Sequence, residues 1–213
     1  MPTQVALILC LLFVAFMLRI DFRQSQGLSP YTWVPTIWAL VAFSRPLGYW
    51  FGGNPEGTME SGSPVDRAFL VAILCVAVLV ILRKKSDWST TLRENNWLIA
   101  LLVFTLVSVL WSSMPYISLK RWSRELIAVI MAFTVLPERD PRQALLAILR
   151  RVSYILIPFS ILLVKYFPVY GIEYGRWSGD RMWIGVATQK NGLTRLCIIV
   201  LMFLAWTLLR RLQ

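Results

Sequence analysis

Repeated apolar stretches, each close to the length needed to cross a bilayer, constrain this 213-residue chain more than any other feature. A helix of about 20 apolar residues spans a hydrocarbon core roughly 30 Å thick. We therefore expect an all-α fold, a polytopic membrane helix bundle that forms one domain over residues 1–213. About seven transmembrane helices are predicted, at residues 4–18, 31–51, 68–82, 97–112, 118–137, 152–168 and 192–209.

The formal charge of +11 arises from 22 Lys and Arg residues against 11 Asp and Glu residues. In a soluble protein this excess would suggest nucleic-acid binding. In a membrane protein, Lys and Arg collect in cytoplasmic loops and set the orientation, so no nucleic-acid partner is expected.

The connectors predict which loops share a side of the membrane. Basic segments 83–96 and 138–151 are predicted in the cytoplasm, together with 19–30. The Gly-, Pro- and Ser-rich connector 52–67 contains Glu56, Glu60 and Asp66 and is predicted outside. Alternation then places 112–120 and 168–191 outside, with the N-terminus outside and the C-terminus inside.

Histidine, the commonest general base and metal ligand, does not occur in the sequence. Cys10, Cys75 and Cys197 lie within apolar stretches and lack the spacing of a metal site or a disulfide framework. We therefore expect no metal and no cofactor.

Two segments predicted to lie outside are basic, which the orientation rule does not explain. In the first, Lys120, Arg121 and Arg124 fall within about 100° of helical arc. The second, "YGRWSGDRMWIGVATQKNGLTRLC" at 174–197, contains four cations, namely Arg176, Arg181, Lys190 and Arg195. Together they predict an electropositive outer pocket for an anionic, lipid-linked group.

A third candidate, Arg45, lies beside Pro46 near the predicted outer end of span 31–51. Proline frees a carbonyl one turn back and can kink a helix, so a polar notch is expected there. A plainer interpretation stays open for all these cations: they extend to the membrane surface and meet ordinary phospholipid headgroups. Lys165 is assigned that simpler role.

The segment "GRWSGDRMWIGVATQKNGL" resembles the signature of the bacterial O-antigen ligase and O-antigen polymerase family. Family members have a Gly-Arg pair, a variable stretch, and then a Gly-aliphatic pair followed by Lys/Pro-Asn-x-Leu. The matching positions here are Gly175-Arg176, Gly185-Val186 and Lys190-Asn191-Gly192-Leu193. Upstream, "WSSMPYISLKRWSRE" at 111–125 and "SRP" at 44–46 are closest to the branch associated with exopolysaccharide production.

The resemblance implies metal-independent glycosyl transfer at the outer face of the inner membrane. A glycan passes from undecaprenyl pyrophosphate to a glycan or lipid acceptor, and the cations hold the pyrophosphate. It assigns Arg176 the catalytic role and Lys190 and Asn191 the binding of substrate. We add Arg181, Arg195, Lys120, Arg121, Arg124 and Arg45 as further candidates for substrate binding.

Two departures bear on activity. The position after Leu193, usually Gly in the family, is Thr194 here. Family members are about twice as long, and a large outer loop in their second half contains a functional histidine. We therefore expect either transfer with a missing half supplied in trans, or a truncated protein that binds lipid pyrophosphate without turnover. A small transporter is a weaker alternative, because no inverted repeat is visible.

Overall fold

The computed structural model describes residues 2–51, 63–84, 88–175 and 179–212. Two 3-10 turns occur in these ranges, at Pro30–Thr32 and Ser108–Trp111, and a short hairpin pairs β1 (Ile172–Tyr174) with β2 (Arg181–Trp183). The rest of the secondary structure in the described residues is α-helix: α1 Thr3–Gln24, α2 Trp33–Ala42, α3 Leu47–Trp50, α4 Pro64–Arg83, α5 Trp88–Glu94, α6 Asn96–Val107, α7 Pro115–Val135, α8 Pro141–Tyr166, α9 Pro168–Gly171 and α10 Lys190–Leu212.

Four of these helices, α1, α4, α8 and α10, are long and apolar enough to cross a membrane. The prediction of an all-α, multi-pass membrane chain is therefore supported, whereas the count of seven spans stays a prediction. Helix α6 with its 3-10 extension covers only Asn96–Trp111, and the first half of α7 contains Lys120, Arg121, Arg124 and Glu125.

Predicted span 31–51 is divided, because α2 ends at Ala42 and α3 begins only at Leu47. Pro46 lacks a backbone N–H and disfavours helical geometry at Arg45, so it breaks the helix where a kink was expected. Helix α8 is longer than the predicted span 152–168, because it begins at Pro141. Asp140 caps it by accepting a hydrogen bond from the N–H of Gln143 at 3.1 Å.

Helix α8 is the centre of the described structure. Half of its most apolar 18-residue window is buried, compared with 17% for α1, α4 and α10. Its buried residues Val152 and Leu156 pack with Leu196 and Val200 of α10. A second cluster joins α4 to α7 through Ile73, Ala77, Ile127 and Met131. The first of these clusters gives α8 and α10 a shared apolar wall.

One end of the helices contains a buried ionic network. Asp21 of α1 is 1% exposed and accepts hydrogen bonds from Nε of Arg150 at 2.5 Å and Nε of Arg151 at 2.7 Å. Arg151 also donates to Thr32 and lies over the ring of Trp33. The network fixes α1 and the start of α2 to the first half of α8.

A second ion pair closes the same end. Lys84, at the end of α4, is paired with Glu138 and also donates to the carbonyl of Thr134 at 3.2 Å. Glu138 accepts a hydrogen bond from the N–H of Ser29 at 3.4 Å. We call this region the Asp21 end, defined by Asp21, Lys84, Glu138, Arg150 and Arg151.

Candidate functional site

The opposite end, which we call the Arg45 end, contains Arg45, Lys165, Arg181 and Lys190. Its β-hairpin places Tyr174 opposite Arg181 and Ile172 opposite Trp183. Successive side chains of a strand alternate between its faces, so Arg181 and Trp183 lie on one face and Met182 on the other. The hairpin thus presents a cation and an indole side by side.

The segment between the hairpin and α10 is held tightly against α8. The carbonyl of Gly171 accepts hydrogen bonds from the N–H groups of Ile184 and Gly185, both at 3.0 Å. Gly185 has a φ of +54°, and a Cβ there would lie 2.8 Å from Cβ of Ser160. Only glycine combines this left-handed backbone with so close an approach. Ser160 also accepts a hydrogen bond from the N–H of Val186 at 3.4 Å.

Arg45 fixes the same segment from its other side. Its backbone N–H donates to the carbonyl of Val186 at 2.9 Å, and its Nε donates to the carbonyl of Ala187 at 2.9 Å. The guanidinium also lies 4.5 Å from the ring centroid of Tyr49. The structure therefore joins two segments that the sequence analysis singled out separately, residues 44–46 and 185–193.

Arg45 is 4% exposed, and its Nη1 has no hydrogen-bond partner among the described residues. A buried guanidinium nitrogen without an acceptor is costly, because its lost hydration is not replaced. Unlike Arg150 and Arg151, Arg45 has no carboxylate partner in the described part of the chain. Arg45 therefore anchors the loop and keeps a donor for which those residues offer no acceptor.

A cavity of about 480 Å³ lies between the second half of α8 and the start of α10. Its polar lining comes from Ser160, Lys165 and Arg181, and the remainder of the lining is formed by Ile157, Ile161, Val164, Trp183, Leu193 and Cys197. We call this cavity the α8–α10 groove. An apolar floor with cations at one margin matches a molecule that has a hydrocarbon chain and an anionic head.

A second cleft of about 380 Å³ lies next to the groove, along the same face of α10. It shares Trp183, Leu193 and Cys197 with the α8–α10 groove, and Lys190 provides its cation. Lys190 is the first residue of α10, so it adds its charge to the free N–H groups at the start of that helix. Apolar surface next to cations therefore extends along this face of α10 beyond the groove.

None of the cations at this end is neutralised by a neighbouring acid within the described ranges. Salt bridges in those ranges include Lys84–Glu138, Arg150–Asp21 and Arg151–Asp21, all at the Asp21 end. No carboxylate of the described residues lies within ion-pair distance of Arg45, Lys165, Arg181, Lys190 or Arg195. These five cations therefore have no salt bridge to a described carboxylate, whereas the larger electropositive pocket expected from the sequence stays a prediction.

The other predicted residues lie in different places. Lys120 and the exposed Arg121 and Arg124 belong to the first half of α7, where the indole N–H of Trp122 donates to the carbonyl of Leu102 in α6 at 2.9 Å. Asn191 and Arg195 are exposed on α10 but do not line the groove or the second cleft.

Arg176, which the family resemblance makes the leading catalytic candidate, lies outside the described residues.

Sequence reasoning missed several residues of the groove. Lys165 was assigned only to the membrane surface, yet it lines the groove together with Arg181. Ser160 carried no signal, because a single serine within an apolar stretch is common. The glycine at 185 was visible as part of a motif, and its partner on α8 could be found only from the packing.

Comparison with protein-family models, with curated proteins and with solved structures finds no significant match to this chain. Among the described residues, no group of three His, Cys, Asp or Glu side chains is placed to hold a metal ion. The chemistry of the Arg45 end is therefore the basis for assigning a function.

Proposed function

We propose that the chain binds a glycan linked to undecaprenyl pyrophosphate and acts in the assembly of bacterial envelope polysaccharide. Its activity would resemble that of O-antigen ligases and polymerases, at the outer face of the inner membrane. The observation that carries the proposal is the α8–α10 groove, whose apolar wall ends at Lys165 and Arg181, two cations that have no acidic partner among the described residues.

The groove suits the two parts of such a ligand differently. The polyprenyl chain would contact Ile157, Ile161 and Val164, which a hydrocarbon chain can cover without desolvating polar groups. The pyrophosphate would lie at the margin, where Arg181 supplies a forked donor and Lys165 a point charge. Both side chains are exposed, so each cation contributes on the order of 1 kcal/mol to the binding of an anion rather than the larger energy of a buried pair.

In the proposed transfer, an acceptor hydroxyl attacks the anomeric carbon of the glycan. The new C–O bond forms as the bond to pyrophosphate breaks, and the hydroxyl proton passes to a base. Negative charge grows on the departing pyrophosphate, so fixed cations that meet it lower the barrier. Arg176 is the catalytic candidate that the family resemblance supplies.

A second candidate, binding without turnover, is favoured by one feature of the groove. No Asp or Glu lines it or the second cleft within the described residues. Glu173 is exposed on β1, but it pairs with Met182 and so lies on the face of the hairpin opposite Arg181. Asp180, the residue before Arg181, lines neither cavity, so the proposal takes the base for the acceptor hydroxyl from outside the groove, for example from a second polypeptide supplied in trans.

Binding is tested through Cys197, which lines both cavities. In a Cys10→Ser/Cys75→Ser background, undecaprenyl pyrophosphate should slow the reaction of Cys197 with maleimide. Lys165→Gln and Arg181→Gln should each weaken that protection about fivefold, since one cation near a lipid headgroup contributes about 1 kcal/mol. The control is Arg139→Gln, an exposed cation near the Asp21 end. Equal effects at all three positions, or no protection at all, would contradict the proposal.

Orientation and turnover need separate measurements. Single cysteines at Asp180 and Gln143, in a chain without native cysteines, should react with an impermeant reagent from outside and inside the cell, respectively. Release of undecaprenyl pyrophosphate from a glycan-bearing lipid, lost in Arg176→Ala, would favour transfer. Protection of Cys197 without any release would favour binding alone.

A further inference from the structure

Two aromatic side chains form a continuous, partly exposed surface at the Arg45 end. Trp50 of α3 stacks on Tyr170 of α9, with ring centroids 6.4 Å apart and an interplanar angle of 29°. Their exposed fractions are 41% and 45%, so each side chain keeps accessible surface. We call Trp50 and Tyr170 the aromatic pair.

The position of the aromatic pair is fixed by contacts with Tyr49 and, through it, with Arg45. Tyr49 meets Trp50 edge to face, at 5.9 Å between centroids and an angle of 86°. Tyr49 in turn contacts the guanidinium of Arg45, which is bonded to Ala187. The exposed rings are thus connected to the buried anchor of the loop, so their position is set by the same contacts that shape the site.

The aromatic pair is connected to the groove through the backbone next to the hairpin. Tyr170 directly precedes Gly171, whose carbonyl holds the N–H groups of Ile184 and Gly185. Trp183, the residue before Ile184, lines the α8–α10 groove. A headgroup leaving the groove at this margin would therefore emerge next to Trp50 and Tyr170.

The chemistry of the pair matches a carbohydrate. The indole N–H of Trp50 and the hydroxyl of Tyr170 have no hydrogen-bond partner among the described residues. Aromatic side chains of this kind combine an apolar face with a polar handle. A sugar ring offers the complement, an apolar C–H face surrounded by hydroxyl groups.

We propose that Trp50 and Tyr170 form a stacking site for a sugar ring of the glycan attached to the bound lipid. This inference rests on the proposed function, because it takes the lipid in the groove as the carrier of the glycan. It assigns recognition of the sugar to α3 and α9, separately from recognition of the anionic head by Lys165 and Arg181. A membrane-interface role for the two rings is the competing explanation.

The test compares two probes in the Cys197 protection assay: undecaprenyl pyrophosphate alone, and the same lipid with one N-acetylhexosamine attached. Trp50→Leu and Tyr170→Leu should weaken protection by the sugar-bearing lipid roughly two- to tenfold, the range expected for one aromatic contact. Protection by the bare lipid should stay unchanged in both variants. Trp97→Leu is the matched control, because Trp97 is 89% exposed on α6.

The outcomes separate the two proposals. If the bare lipid protects Cys197 but neither Trp50→Leu nor Tyr170→Leu weakens protection by either probe, the sugar site is excluded and lipid binding stands. Equal losses for both probes would indicate a membrane-interface role instead. If neither lipid protects the wild-type chain, both proposals fail together. Should Trp50→Leu not fold, Tyr170→Leu alone decides the question.

Discussion

The two ends of this helical protein use the same residue types in opposite ways. At the Asp21 end, Arg150 and Arg151 converge on one buried carboxylate, and Lys84 is paired with Glu138. At the Arg45 end, Lys165 and Arg181 line an apolar groove and form no salt bridge with a carboxylate of the described residues. Burial forces the first group to find partners, whereas exposure allows the second group to remain available.

This difference separates cations that specify the fold from cations that can meet a ligand. A buried ion pair adds little net stability over an apolar replacement, but removing one partner leaves an uncompensated charge. An exposed cation loses little when it is removed, because water already screens it. Arg45 is intermediate: it is buried like Arg151, yet it is paired with a carbonyl and a ring rather than with an acid.

The largest effect is expected at Asp21. Asp21→Asn keeps the shape of the side chain but removes the charge that compensates Arg150 and Arg151. We expect a loss of about 3–5 kcal/mol in the free energy of unfolding, the usual result of breaking a buried pair. Thermal unfolding in detergent would measure it, with the exposed Glu125→Gln as the control. An unchanged melting temperature would show that the ion pairs of Asp21 do not stabilise the fold, and the proposed difference between the two ends would be refuted.

The next effect concerns Gly185. Gly185→Ala places a Cβ at a φ of +54° and 2.8 Å from Cβ of Ser160, so both backbone strain and crowding oppose it. Gly179→Ala is the matched control, because Gly179 has a φ of +68° and nothing within 4 Å of a Cβ. Strain alone costs about 1–2 kcal/mol.

Crowding should make Gly185→Ala costlier than Gly179→Ala by a further 1–3 kcal/mol, roughly the penalty of overpacking. Thermal unfolding and the maleimide reactivity of Cys197 would both report the change. Equal stability of the two variants would show that the loop is not pressed against α8.

A smaller loss is expected at Arg45. Arg45→Met removes the hydrogen bond to Ala187 and the contact with Tyr49, but it also removes the Nη1 donor that lacks a partner. These opposing effects should leave a net destabilisation of about 1–2 kcal/mol. The exposed Arg195→Met is the control. If Arg45→Met is more stable than the wild type, burying Nη1 without an acceptor costs more than the contacts with Ala187 and Tyr49 contribute.

The sequence predicted the class of fold from features that are local in the chain. Apolar stretches reveal α1, α4 and α10 because their length and composition suffice, and Pro46 marks the division between α2 and α3. It also identified Arg45, Arg181 and Lys190 as cations at one end. These predictions needed no knowledge of which helices are neighbours.

Other features depend on contacts between distant residues. Asp21 and Arg150 are 129 positions apart, and nothing in either segment indicates the other. The start of α8 was missed for a similar reason: residues 141–151 are basic and resemble a loop until they pack against α1. The groove exists only where α8 and α10 face each other, so the role of Lys165 could not be read from its own segment.

The smallest effect on stability, and the sharpest test of the comparison, is expected at the groove. Lys165→Gln and Arg181→Gln remove exposed cations without acidic partners in the described residues, so the free energy of unfolding should change by less than about 0.5 kcal/mol. The same two variants should bind undecaprenyl pyrophosphate more weakly. The two groove variants should therefore bind the lipid more weakly while their stability is unchanged. Asp21→Asn, measured in the same way, should lose stability. If Lys165→Gln destabilises the chain as strongly as Asp21→Asn does, the groove cations hold the fold together, and their availability to a ligand is refuted.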